Sequence, residues 1–334
     1  MNVAKVFTKN TPHATHERLP HTAGSPQLDI SYQAGYALRG LAMLMITFIH
    51  SINEYAVYTS ELSTTLLVPK YGQLSCSIFF FMSGYGLYRS LSRQRGSLLS
   101  YLWVHVKKLL FPFLLAFIGV ILALHLFKNA DNAAFPINPW NILTLTMPEG
   151  TDMWFFKVIL IDYVATILLF MLPLKQPTRI TALFGLHALA IVLCYLLNVP
   201  GYWYFSNLAF PLGMYFAHYR GHLTHWRNSL LFACLLSLAI YYTIVTLFHT
   251  NAPLEIFVNT MCPLLAVLLM SKIPLSPPKW LQYIGKNSLC FYLFNVPIML
   301  AIPASAMHWV TYFILNLVIT WIATILYTPL QRKI

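Results

Sequence analysis

The chain is a succession of apolar runs of about twenty residues, separated by short polar or proline-rich breaks. A helix needs about 20 apolar residues to cross the ~30 Å hydrocarbon of a bilayer, so this pattern constrains the fold more than any motif does. Laid along the sequence, that ruler predicts spans near 36–58, 72–91, 105–127, 153–173, 180–198, 202–218, 229–249, 254–271, 281–301 and 305–328. Turn formers mark the breaks, as at Pro69–Gly72, Pro173–Pro177, Asn198–Gly201 and Pro274–Pro278. Pro211 and Gly213 interrupt the sixth span, and Pro297 and Pro303 complicate the end of the ninth. Charged residues make up only 9% of the chain, against about 25% in soluble domains, which is too few to clothe a water-facing surface. The expected fold is an all-α integral membrane protein of about ten transmembrane helices.

The basic residues give it an orientation. With the N-terminus in the cytoplasm, every Lys and Arg except Lys70, Lys128 and Lys157 falls on an inner segment or span end. Glu54, Glu61, Asp131, Glu149, Asp152 and Glu255 fall toward the outside. That asymmetry follows the positive-inside rule and places both termini in the cytoplasm. The net charge of +12 is thus a property of cytoplasmic loops, and the expected partner is the lipid bilayer rather than nucleic acid. Residues 1–35 read as a polar, poorly ordered tail without the apolar region of a cleavable signal, followed by a single membrane domain over 36–330. His13, His16 and His21 in the tail fit a solvated segment or, alternatively, a metal ligand set; no metal site is expected. The five cysteines lie inside apolar runs at unrelated spacings and read as small buried hydrophobes. Residues 128–152 form a long polar external loop, either a lid or a plain connector.

Ionisable groups inside spans cost about 2.5–3.5 kcal/mol on insertion scales, so each asks for a reason. The first span carries Arg39, then His50, then Glu54. Eleven residues at 100° each return to within about 20° of the same face, some 16 Å along the axis. Glu54 lies one further turn along that stripe. A histidine there can take a proton from a hydroxyl near neutral pH, and a carboxylate can orient its ring. The same residues also fit an interhelical hydrogen bond with a snorkelling arginine. In the fourth span Lys157 and Asp162 are five residues apart and point in different directions, so each is expected to meet a different partner. Asn53, Asn207, Asn259 and Asn295 add polar groups that serve as helix–helix contacts or as ligand contacts.

Five stretches carry a resemblance. Arg39-Gly40-Leu-Ala followed by His50 resembles the Arg-x10-His signature of the acyltransferase-3 family of polytopic membrane O-acyltransferases. Ser77-Ile-Phe-Phe-Phe-Met-Ser83-Gly84-Tyr85 resembles its FFFxSGF stretch, and Lys107-Lys108-Leu-Leu-Phe-Pro112 its basic cluster before a proline. Met153-Trp154-Phe155-Phe156 is similar to its LWFL segment, and Ile284-Gly285 through Tyr292-Leu293 to its late GxxSLxxYLxH segment. The five occur in the family's order over about residues 36–300. The departures are Tyr36 where many members have Asp, Val106 and Leu109 where many have an Arg pair, and Asn295 where the late segment often ends in His.

The resemblance implies an acyl-CoA donor, acetyl-CoA being the expected one, arriving as co-substrate from the cytoplasm with no bound cofactor. The acceptor it implies is a hydroxyl of a cell-surface glycan or its lipid-linked precursor, and the location a cell membrane (the cytoplasmic membrane in a bacterium). It makes His50 the catalytic base and Arg39 its assistant in donor binding or positioning, with Glu54 the candidate to orient His50. Arg89, Lys107 and Lys108 become candidates for the CoA phosphates, although ordinary positive-inside charge explains them equally. Ser83, Tyr85, Trp154, Lys157 and Asn295 are the further polar candidates. A small-molecule transporter and a non-catalytic membrane scaffold are the alternatives from other classes.

Overall fold

The computed structural model describes residues 30–59, 68–94, 96–127, 142–147, 153–247, 252–271 and 276–331. The tail before Ile30, most of the 128–152 loop and Arg95 lie outside the described residues, as do the expectations placed on them. The helices are α1 (Tyr32–Thr59), α2 (Val68–Leu91), α3 (Leu98–Phe127), α4 (Trp154–Met171), α5 (Gln176–Leu196) and α6 (Ala209–Leu223), followed by α7 (Arg227–Leu247), α8 (Ala252–Met270), α9 (Lys279–Lys286), α10 (Ser288–Ala301) and α11 (Trp309–Gln331). Six segments are long and apolar enough to cross a membrane: Tyr32–Ala56 within α1, and α3, α4, α5, α8 and α11. The protein is an all-α membrane protein, with fewer full-length spans among the described residues than the ten expected.

Several boundaries differ from the sequence reading, α3 beginning at Leu98 rather than near 105 among them, and three have a visible local reason. The first helix begins at Tyr32, inside the expected tail, because Ser31 caps it: its Oγ accepts the Ala34 N–H at 3.1 Å. The sixth helix begins at Ala209 rather than near 202. Asn198 turns the chain with φ 54°, a 3-10 turn follows at Gly201–Trp203, and Ser206 Oγ is tied to Gln73 at 3.0 Å on α2. The ninth span is two helices. Asn287 leaves helical geometry (φ −107°, ψ 22°) and its Nδ2 donates to Tyr283 O at 2.9 Å, ending α9 before α10 starts. At eight residues α9 rises only about 12 Å, too short to span; it buries Leu281 and Ile284 and exposes Lys279 and Lys286.

Glycines set two close crossings. A Cβ on Gly285 would stand 1.7 Å from the Tyr36 carbonyl oxygen, and one on Gly40 would stand 2.3 Å from that of Leu281, so α1 and α9 touch backbone to backbone. A Cβ on Gly84 would stand 2.0 Å from Phe210 O and one on Gly213 2.0 Å from Phe81 O, which locks α2 onto α6 in the same way. Small residues at such crossings are how membrane helices pack without a hydrophobic drive between them. The result is a centre built on α1, α2, α3 and α10, with α1 61% buried over its apolar window, and a rim in which α5 and α11 are only 22% buried. The large apolar side chains of the rim, such as Leu189 and Ile322, face outward, which suits hydrocarbon and not water.

Candidate active site

The site is built along α1, at the centre of the bundle. At one end Arg39 turns toward α2, where its Nη2 donates to the Met82 carbonyl oxygen at 2.8 Å. Its Nε is buried and has no hydrogen bond among the described residues. The hydroxyl of Tyr163, from α4, meets the Ser83 side chain and lies within electrostatic reach of this guanidinium. Gly86 of α2 lies alongside, at a distance where even a Cβ would only touch Arg39 Nη2, at 3.7 Å.

Three turns along α1, His50 faces α10. Its ring lies against the Asn295 side chain and beside Tyr292, with ring centroids 6.1 Å apart. Asn295 Nδ2 donates to Asn316 Oδ1 at 3.0 Å, and Asn316 Nδ2 donates to Ser51 Oγ at 2.9 Å. All three residues are buried to within 1% of full exclusion, so a polar string runs across α10, α11 and α1 inside an apolar core. Glu54, half-buried a turn further on, lies near enough to Tyr312 of α11 to act on its hydroxyl electrostatically. Tyr292 also meets Phe155 of α4 at 5.4 Å. Phe155 and Tyr163 are eight residues, about 12 Å, apart on α4, so α4 lines the interval between His50 and Arg39.

A family model described as an acyltransferase domain, acyltransferase-3, matches residues 36–329. The chain belongs to the acyltransferase-3 family. No curated protein and no solved structure matches it.

In this acyltransferase the resembling stretches meet one another. Gly40 of the first stretch crosses Gly285 of the last, and Phe155 of the fourth packs on Phe79 and Phe80 of the second at 5.9 and 5.1 Å. The remaining candidates divide. Ser83 joins Arg39 through Tyr163, and Asn295 joins His50. Arg89 folds back along α2, its Nη1 donating to Tyr85 Oη at 3.0 Å and its guanidinium 5.8 Å from the Tyr32 ring. Tyr85 is therefore a partner of Arg89 and of the Ile30 N–H at 3.4 Å. Lys107 sits 5.7 Å over the exposed Trp103 ring, and Lys108 is exposed. Lys157 reaches Thr146 Oγ1 at 3.3 Å and lies over Trp203, while Trp154 packs on Tyr202. These form a cap of aromatic rings around α4's first turn.

As the five-residue spacing predicts, Lys157 and Asp162 part company. Asp162 crosses to α5, where its Oδ1 lies 3.1 Å from His187 Nε2. The other ring nitrogen, Nδ1, donates to Leu183 O at 2.9 Å, and the imidazole stacks on Phe210 with an interplanar angle of 10°. Tyr163, His187, Ser51 and Asn316 were not singled out from the sequence. Only Asn316 had a usable signal, the four-residue repeat Asn316, Thr320, Thr324, Thr328 on the last helix. Cavities of about 530 and 330 Å³ open on either side of Tyr215 and Tyr219 between α5, α6 and α7. Neither is lined by Arg39 or His50.

Proposed function

We propose that this membrane acyltransferase moves an acyl group, acetyl being the expected one, from cytoplasmic acyl-CoA to a hydroxyl of a cell-surface glycan or its lipid-linked precursor. The observation that carries the reading is His50. It is a part-buried imidazole at the centre of the bundle, set against the Asn295 side chain and beside the Tyr292 ring. His50 takes the proton of the acceptor hydroxyl as its oxygen attacks the thioester carbonyl. The C–S bond then breaks, and the imidazolium returns the proton to the leaving CoA sulfur.

Arg39 is about 16 Å away along α1, too far for its guanidinium to hold the oxyanion formed at His50. Its role in this reading is to position the donor. The distribution of Lys and Arg supports a topology with both termini cytoplasmic, so that Arg39, Arg89, Lys107 and Lys108 lie on the side from which CoA comes. Glu54 is the candidate to stabilise the imidazolium.

Mass spectrometry of cell-surface glycans from cells with the protein, without it and with His50→Ala tests the proposal. An acyl mass present only with the unchanged protein is expected; the same mass retained with His50→Ala, at equal expression, overturns it. The break between α9 and α10 is the feature a transporter could use. Accumulation of a solute in vesicles without any covalent product would favour that function instead.

A further inference from the structure

We infer that Asn295 is the positioning residue that fixes which nitrogen of His50 is the base, and that Asn316 and Ser51 hold Asn295 in the orientation this needs. The inference rests on His50 being the base, as proposed above, and adds how that base is made competent.

The reasoning is one of hydrogen-bond accounting. A primary amide gives at its nitrogen and takes at its oxygen. Asn316 gives to Ser51 Oγ at 2.9 Å, and its Oδ1 takes from Asn295 Nδ2 at 3.0 Å and from Thr320 Oγ1 at 3.4 Å. With its nitrogen spent on Asn316, Asn295 is left with its oxygen for the neighbouring His50 ring: that Oδ1 is buried and makes no hydrogen bond among the described residues, and the ring lies against the same side chain. An oxygen can only accept, so the ring nitrogen facing it must carry the proton. The opposite ring nitrogen of the neutral imidazole then holds the lone pair and serves as the base. Burial makes the arrangement decisive: Asn295 and Asn316 are wholly excluded from solvent and Ser51 is 1% exposed, and water cannot substitute for a wrongly turned amide.

An amide in this position differs from the carboxylate of a Ser-His-Asp arrangement. It fixes the tautomer without adding a charge to the membrane interior, where a further unpaired carboxylate would be costly. The string also joins α1, α10 and α11, so the orientation of the base depends on the packing of three helices.

The test uses the full-length protein in lipid nanodiscs, unchanged and as Asn295→Leu, Asn295→Asp and Asn316→Leu, with acyl-CoA turnover on a glycan extract. In parallel, 15N-histidine NMR reads the His50 tautomer, its signal assigned by loss in His50→Ala. The unchanged protein should show one neutral tautomer. Asn295→Leu should show a mixture and lose kcat at least a hundredfold, with donor KM within about twofold. Asn295→Asp keeps an acceptor for the ring but loses the N–H that Asn316 Oδ1 takes, so it should keep about a tenth of kcat, as Asn316→Leu does. Asn316→Leu should lose about tenfold. If the string runs the other way and Asn295 gives its N–H to the ring, Asn295→Asp falls as far as Asn295→Leu, which overturns the inference. A mixed tautomer in the unchanged protein, or kcat within threefold in Asn295→Leu, overturns it too. A locked tautomer in a protein that transfers no acyl group sinks the catalytic reading and leaves the Asn295 assignment standing. Should Asn295→Leu not fold, the Asn295→Asp turnover and the unchanged protein's tautomer still decide.

Discussion

Two histidines inside the bundle, part-buried His50 on α1 and buried His187 on α5, differ in how their ring nitrogens are engaged. His187 has both ring nitrogens engaged, Nδ1 by Leu183 O and Nε2 by Asp162 Oδ1. Nδ1 must donate to the carbonyl, so the pair shares one further proton and carries no net charge. His50 lies against the Asn295 side chain and beside the Tyr292 ring, and among the described residues no carboxylate or carbonyl is hydrogen-bonded to its ring. A histidine with both nitrogens occupied joins helices; one with a nitrogen in reserve can act on a substrate. His187 is the more buried of the two, and hydrogen-bond occupancy separates them further.

The largest expected effect follows directly. His50→Ala should lower turnover by about 10³-fold with unchanged detergent melting temperature and elution. His187→Ala should do the reverse. It leaves Asp162 buried without its partner, which costs about 3–5 kcal/mol, read as lower yield and melting temperature, while turnover per folded molecule stays within about threefold. Loss of turnover in well-folded His187→Ala would break the comparison.

A second variant sharpens it. Asp162 Oδ2 is buried with no hydrogen bond among the described residues, so the pair is held at a desolvation cost. Replacing both members by apolar groups of similar size, Asp162→Leu with His187→Phe, should recover most of the stability lost in His187→Ala and keep turnover near the unchanged level. The double variant is expected to melt within a few degrees of the unchanged protein. No paired apolar replacement should rescue His50.

What the sequence disclosed depended on the kind of partner each residue has. The α1 stripe was legible because its members share one helix, where spacing alone fixes the face. The separation of Lys157 from Asp162 was legible for the same reason. Asp162's actual partner was not, since His187 lies on another helix and only packing brings the two together. Arg39's partner is a backbone carbonyl, that of Met82, and carbonyls carry no residue signature. The α9–α10 break was hidden inside an apolar run: one span was expected over 281–301, and nothing in it marked Gly285 as a crossing or Asn287 as a helix stop. Tyr163 was one of 20 tyrosines, with nothing in its neighbours to mark it.

Arg39 and His50 form the other useful contrast, because their roles should divide between binding and chemistry. Arg39→Gln removes the charge and the fork while keeping some bulk. Donor KM should rise about tenfold, with kcat changed by no more than about threefold, the pattern of lost binding rather than lost transition-state stabilisation. Steady-state kinetics at varied acyl-CoA measures the split. A fall in kcat as large as that of His50→Ala would bring Arg39 to the reacting carbonyl, against the ~16 Å that separates the two positions along α1.

Tyr163→Phe carries the smallest effect and probes the same contrast from α4. The hydroxyl meets Ser83 and acts on the Arg39 guanidinium electrostatically, while Met82 O holds the guanidinium from the α2 side at 2.8 Å. Removing the hydroxyl therefore loosens Arg39 without releasing it. Because the influence is electrostatic rather than a direct hydrogen bond, donor KM should rise by roughly two- to threefold and kcat should hold. Combining Tyr163→Phe with Arg39→Gln should add nothing to the Arg39→Gln value if the hydroxyl acts only through the guanidinium. Additive losses in the double variant would mean that Tyr163 contacts the donor itself, and would extend the binding half of the site from α1 onto α4.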